Sequence, residues 1–283
     1  MKNLIVRTIV FAIGLPALGA IVWLLPHANH LAFNILVVVV AVFSAIETAR
    51  FFERGFSYRG YRLTAGLLGG ILPITSVAIG LGLLPEPAFF GVFLAATSAI
   101  FVSQVFRRDE TRFPEIMPTV TAHVFVLVYP GLFLSYITRL STLPFPAILI
   151  IVFILAVYLN DTGAYIAGMA FGRWSVRILP ISPKKTLVGF VGGFIVSPAV
   201  ILVAARIVPA AFPGGWWRAV VFGVILSLTT IFGDLAESAL KRSVTVKDSG
   251  NAIPGRGGVL DSIDSPLFVA PAFFLFYGIL FIL

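Results

Sequence analysis

The chain contains no cysteine, which excludes disulfides and thiolate-bound metal, and three scattered histidines offer no zinc-type ligand set. Redox compartment is left open by the same absence. Charge is scarce as well, at 11% of 283 residues, and there is no Pro-rich linker, low-complexity tract or fixed-period repeat. No interval between apolar runs is long enough for a soluble domain. What fills the chain instead is hydrophobic residues, at 59%. A mean hydropathy of +1.04 exceeds what a soluble core needs, and a run of about 20 apolar residues crosses a bilayer. The sequence reads as an all-α, polytopic integral membrane protein.

Nine apolar runs are predicted as helices, at about 8–25, 31–50, 64–84, 88–106, 116–138, 145–168, 188–208, 216–236 and 266–283. The first follows Lys2 and Arg7 and is longer than the apolar region of a signal peptide, so it is read as a retained helix. With alternating sides, every lysine and arginine except Arg139, Arg206 and Arg218 falls at the N-terminus or after helices two, four, six and eight. The positive-inside rule then makes the N-terminus cytoplasmic and the C-terminus external. The net charge of +8 is therefore read as topology and contact with lipid headgroups, with no nucleic-acid role. One membrane domain, 1–283, is expected. Helices of 1–140 would serve packing and lipid access, and those of 141–283 would carry a site on the cytoplasmic side.

Three polar segments fall on that side. In Leu159–Arg173, Asp161 sits in or beside hydrocarbon, where an ionisable group usually faces a cavity or a partner. An Asp bonded to neighbouring helices as structural glue is the other reading. In Pro180–Gly193, Ser182, Lys184, Lys185 and Thr186 suit an anion, although juxtamembrane lysines equally meet acidic lipids. Gly233–Ser265 is the richest. Asp234, Glu237, Ser238 and Lys241 share one helix face. Next, Gly250, Pro254, Gly255, Gly257 and Gly258 shape a turn, and Asp261 and Asp264 could share a face before the last span. Hard carboxylate oxygens suit magnesium, which binds one or two carboxylates plus substrate phosphates. Carboxylates, basic residues and a glycine-rich turn are what phosphoryl or nucleotidyl transfer needs.

At these residues the sequence resembles the phosphatidate cytidylyltransferases, also called CDP-diglyceride synthases. Their signature runs Ser-x-x-Lys-Arg, four residues, Lys-Asp, a Pro-x-His-Gly-Gly turn and Asp-Arg-x-Asp. Ser238, Lys241, Arg242, Lys247, Asp248, Pro254, Gly257, Gly258, Asp261 and Asp264 match it in order and spacing. Gly-Asp-Leu-x-Glu-Ser at Gly233 to Ser238, Asp-Thr-x-Ala-Tyr at Asp161 to Tyr165 and Ser-Pro-Lys-Lys-Thr at Ser182 to Thr186 are also similar to the family. The likeness covers the second half of the chain, while the first half shares a many-helix pattern. Departures are Arg256 for the turn histidine, Ser262 for the arginine between the aspartates, and Leu187 and Val188 for a Trp-Glu pair. Arginine can bind phosphate but cannot act as acid or base.

The resemblance implies transfer of CMP from CTP to phosphatidate, giving CDP-diacylglycerol and pyrophosphate with Mg2+, in a bacterial inner (cell) membrane with the site facing the cytoplasm. Metal candidates are Asp234, Asp248, Asp261 and Asp264, with Asp161 and Glu237 as alternates or supports. Lys184, Lys185, Lys241, Arg242, Lys247 and Arg256 are the candidate phosphate clamps, and Ser182, Thr186, Ser238, Gly257 and Gly258 complete the substrate contacts. Rival readings are a CTP-dependent enzyme or kinase acting on another lipid, and a non-catalytic transporter or lipid carrier. Small residues spaced by four could pack helices within or between chains, so a homodimer is an open expectation.

Overall fold

Lipid offers the backbone no hydrogen-bond partner, so apolar runs of this length must coil into helices. The computed structural model describes residues 2–56, 62–177, 179–183 and 185–283, with side chains from residue 12 onward. Lys184 and Arg59 lie outside the described residues, as do the side chains of Lys2 and Arg7. The helices are α1 (Lys2–Leu24), α2 (His27–Gly55), α3 (Arg62–Gly80), α4 (Pro87–Val105), α5 (Ile116–Val126), α6 (Phe133–Arg139), α7 (Pro146–Phe171), α8 (Leu187–Ile207), α9 (Trp216–Ser243) and α10 (Leu260–Tyr277). No strand occurs among the described residues. Eight helical segments there are long and apolar enough to cross a membrane, and Ala12–Leu24 is a shorter apolar helix. The protein is an all-α polytopic membrane protein, as the hydropathy pattern predicts.

The chain divides into two compact units, Met1–Thr142 with Ser243–Ser262, and Leu143–Arg242 with Ile263–Leu283. In the first, α2 and α3 lie backbone to backbone. A side chain at Gly69 would strike Ala45 and come within 2.8 Å of the Ala41 carbonyl. Ala45, Ala49, Ala65, Ala122 and Val126 form the core at that crossing, small residues that allow a close approach. The fifth predicted helix is continuous but widened. A π turn at Leu127–Leu132, centred on Pro130, separates α5 from α6, because proline supplies no N–H for the α-helical bond. At the start of α2, Ala28, Asn29 and His30 are left-handed, with φ of 48°, 56° and 56°. Asn34 Nδ2 donates to the Asn29 carbonyl at 2.9 Å and to Ser141 Oγ at 3.1 Å, holding this strained turn. Arg139, expected on the sparsely charged side, is paired with Glu86 at 3.0 Å and lies over the Phe89 ring.

In the second unit, α7 and α8 form a hairpin whose glycines interlock. A Cβ on Gly192 would clash with Ala167 and meet the Gly163 carbonyl at 3.0 Å. Asn160 fastens this pair to α9, its Nδ2 lying within 2.9 Å of the Gly193 carbonyl and Ser197 Oγ and 3.0 Å of Ser227 Oγ. In an aromatic core, Phe153 and Phe222 each meet Phe273 edge to face while Tyr277 stacks on Phe273, and the Tyr277 hydroxyl donates to the Ala211 carbonyl.

Four boundaries differ from those expected by five residues or more. α1 begins at Lys2 rather than 8, α2 runs to Gly55 rather than 50, α9 continues to Ser243 rather than stopping near 236, and α10 begins at Leu260 rather than 266. Hydropathy stops at charge, whereas a helix continues wherever its charged residues find partners. Glu237 and Lys241 pair one turn apart on α9, and carboxylates are favoured in the first turn of α10.

Candidate active site

Each of three helices in the second unit contributes one aspartate to a single polar cluster. α7 supplies Asp161, α9 supplies Asp234 and α10 supplies Asp264. Two local features set them there. Asn160, one residue before Asp161, fixes the register of α7 against α8 and α9. Gly233, one residue before Asp234, has no side chain to hold α10 away: a Cβ there would lie 2.6 Å from Phe268 Cβ and 3.1 Å from the Asp264 carbonyl. Asp161 consequently feels the charges of Asp264, Asp234 and Lys185, and Asp264 those of Asp234, Lys241 and Lys185. Ser265 supports both acids, its amide donating to Asp264 Oδ1 at 2.8 Å and its hydroxyl to Asp161 Oδ1 at 3.4 Å.

Lys185 reaches this cluster from the segment before α8 and forms an ion pair with Asp234. Its neighbour Thr186 caps α8, Oγ1 accepting from the Gly189 amide at 3.2 Å, so the Thr186 hydroxyl already has a structural task. Ser182 opens the preceding turn, its carbonyl accepting from the Lys185 amide at 3.0 Å. Val188, at a position of departure from the similar family, has its amide bonded to Ser175 Oγ at 3.0 Å. Along α9, Lys241 is ion-paired with the fully buried Glu237, Ser238 is partly buried and Arg242 is exposed.

The remaining predicted residues belong to the first unit. Ile253 and Gly257 exchange backbone hydrogen bonds around a tight turn that carries Arg256, and Gly257 takes a φ of 108°, which only glycine adopts freely. Asp261 Oδ2 accepts from the Ser249 amide (2.7 Å) and the Gly258 amide (2.7 Å), drawing the loop closed, and lies 2.9 Å from Ser249 Oγ. Lys247 and Asp248 are exposed. Ser262, where the similar family has arginine, is buried, with its hydroxyl 3.3 Å from the Gly258 carbonyl.

Sequence reasoning passed over Glu47, an acid in the C-terminal third of α2 that is buried to 4% exposure. Its signal was present, since a carboxylate inside an apolar span needs a partner. Ser249 and Ser265 carry no comparable signal.

Among the described residues, no three histidines or acids close on a point as a finished metal cage. Magnesium does not require one, because it keeps waters and takes one or two carboxylates with the substrate's phosphates. Asp161, Asp234 and Asp264 offer oxygen donors only and interact with one another. Such a donor set suits a hard divalent cation.

The residues from 5 to 280 match the cytidylyltransferase family. Phosphatidate cytidylyltransferase of Bacillus subtilis is 34% identical over 68% of this chain and 66% of its own length. The protein of that name from Staphylococcus saprophyticus is 48% identical over 41% of this chain and 44% of its own. That from Thermotoga maritima is 35% identical over 59% and 62%. The aligned part is thus under two thirds of each relative. With a family match that runs almost from end to end, this chain belongs to the cytidylyltransferase family.

Proposed function

We propose that the protein transfers CMP from CTP to the phosphate of phosphatidate, forming CDP-diacylglycerol and pyrophosphate on the cytoplasmic side of a bacterial inner membrane. The observation that carries this reading is the convergence of Asp161, Asp234 and Asp264 with Lys185 at the polar ends of otherwise apolar helices. Its support also includes the three relatives from Bacillus subtilis, Staphylococcus saprophyticus and Thermotoga maritima, each a phosphatidate cytidylyltransferase.

In this reaction a lipid phosphate oxygen attacks the α-phosphorus of CTP, and the bond from that phosphorus to the bridging oxygen of pyrophosphate breaks. The attacking phosphate is already an anion, so no general base is needed, and the proton carrier lost where Arg256 replaces a histidine is not required. The main barrier is the approach of two anions, which fixed cations lower. Lys185 is held at the acidic cluster by Asp234, where it can meet a phosphate oxygen. Lys241 and Arg242 of the same unit are assigned to the remaining phosphates, and Lys184, Lys247 and Arg256 are retained as phosphate contacts from the sequence motif. One or two of Asp161, Asp234 and Asp264 would hold magnesium together with the substrate's phosphates, with Asp248 and Asp261 retained as candidates from the sequence motif, and the ion would neutralise phosphate charge when bound.

The test is transfer from radiolabelled CTP by purified protein given phosphatidate and magnesium. Asp264→Ala should insert into the membrane as the wild type does and lose at least about a hundredfold in turnover. Unchanged turnover would remove Asp264 from the mechanism. Because Arg256 and Ser262 depart from the family signature, the same assay with other lipid phosphates decides the acceptor.

A further inference from the structure

Glu47 is separated from the signature loop by about two hundred residues and by most of the spans, yet the first unit brings the two into direct contact. Its Oε1 accepts from the Val259 amide at 3.0 Å and its Oε2 from the Leu260 amide at 2.8 Å. These are orphan donors at the start of α10, a position that favours negative charge. Oε2 also accepts from Ser249 Oγ at 2.8 Å, and the same hydroxyl lies 2.9 Å from Asp261 Oδ2. Both ends of the loop, Ser249 and Val259–Leu260, are therefore tied to one carboxylate.

The loop's composition is adapted to that carboxylate. A Cβ on Gly250 would lie 2.5 Å from Glu47 Oε1, and one on Gly258 would collide with both Glu47 and Ser249. Gly250, expected to shape the turn, and Gly258, expected to meet substrate, thus make room for an acid of the protein itself. None of the assigned phosphate contacts or metal candidates includes Glu47. Its partners are backbone amides and a serine of the segment that carries Lys247, Asp248 and Arg256.

We propose that Glu47 is a positioning residue for nucleotide binding: its buried carboxylate clamps the glycine-rich loop by both ends and fixes the basic and acidic side chains that the loop presents to the CTP phosphates. This rests on the transfer reading above, but the clamp can be measured apart from turnover.

The experiment uses the full-length protein in detergent micelles as wild type, Glu47→Gln, Glu47→Asp and Ser249→Ala. Hydrogen–deuterium exchange of the 245–262 segment reports the clamp, and steady-state kinetics with CTP and phosphatidate report positioning. In Glu47→Gln one oxygen becomes a donor that faces donors, so exchange near Gly258–Leu260 should rise about tenfold, and the KM for CTP should rise about tenfold or more while that for phosphatidate holds. Glu47→Asp should recover part of both, and Ser249→Ala should fall between. Unchanged exchange in Glu47→Gln overturns the proposal, and so does faster exchange with an unaltered KM for CTP, which would leave the acid a purely structural role. If Glu47→Gln does not insert, Ser249→Ala is judged by the same two criteria. A wild type that turns over no CTP would defeat the transfer reading and the positioning role with it, while exchange would still decide the clamp.

Discussion

Arg256 stands in the turn at the position where the similar signature has histidine, and the two residues differ in how they respond to pH. Arginine keeps its charge at any working pH, whereas a histidine with an ordinary value of about 6.5 loses its charge above it. Arg256→His should therefore match the wild type in acid and fall behind it progressively from about pH 6 to pH 7.5, as the positive charge on the turn disappears. A wild-type-to-variant activity ratio that stays flat across that range would exclude a phosphate contact at this position. At this scale much of the site was legible, because acids and bases stand out in a chain with 11% charged residues. Asp161, Asp234 and Asp264 were named from spacing and hydropathy alone. Glu47 was not, since a lone acid within a span says only that some partner exists, and its partners are 202 to 213 positions away.

Elements, more than single residues, bring the aspartates of the second unit together. Asn160 places one amide among acceptors on α8 and α9, and each hydrogen bond of this kind between membrane helices contributes on average about 0.6 kcal/mol. Asn160→Leu should lower stability by about 1–2 kcal/mol, read as a fall in thermal unfolding temperature of the detergent-solubilised protein, and should reduce transfer as Asp161 loses its register. An unfolding temperature at or above that of the wild type would show that the network adds nothing to the α7–α8–α9 packing. Helix existence was clear from hydropathy, but helix ends were not. Ion pairing extended α9 and capping advanced the start of α10, and both depend on partners that a sliding window does not see. The widened turn at Pro130 likewise follows from one missing N–H rather than from average composition.

For the molecule as a whole, the distribution of lysine and arginine predicts which loops face the cytoplasm, and the natural absence of cysteine makes that directly measurable. On intact cells a membrane-impermeant maleimide should label Ala210→Cys, in the loop between α8 and α9, and spare Arg108→Cys, after α4. The opposite pattern would invert the topology and move the aspartate cluster to the other face. The link between Glu47 and the start of α10 also bears on how the protein is made. A ribosome adding roughly 5–20 residues per second needs on the order of 10–40 seconds to reach Leu260 after Glu47 has been synthesised. Throughout that interval the carboxylate sits in a newly inserted helix without the amides that will later receive it, so water, a proton or the insertion machinery must shelter it until the end of the chain arrives.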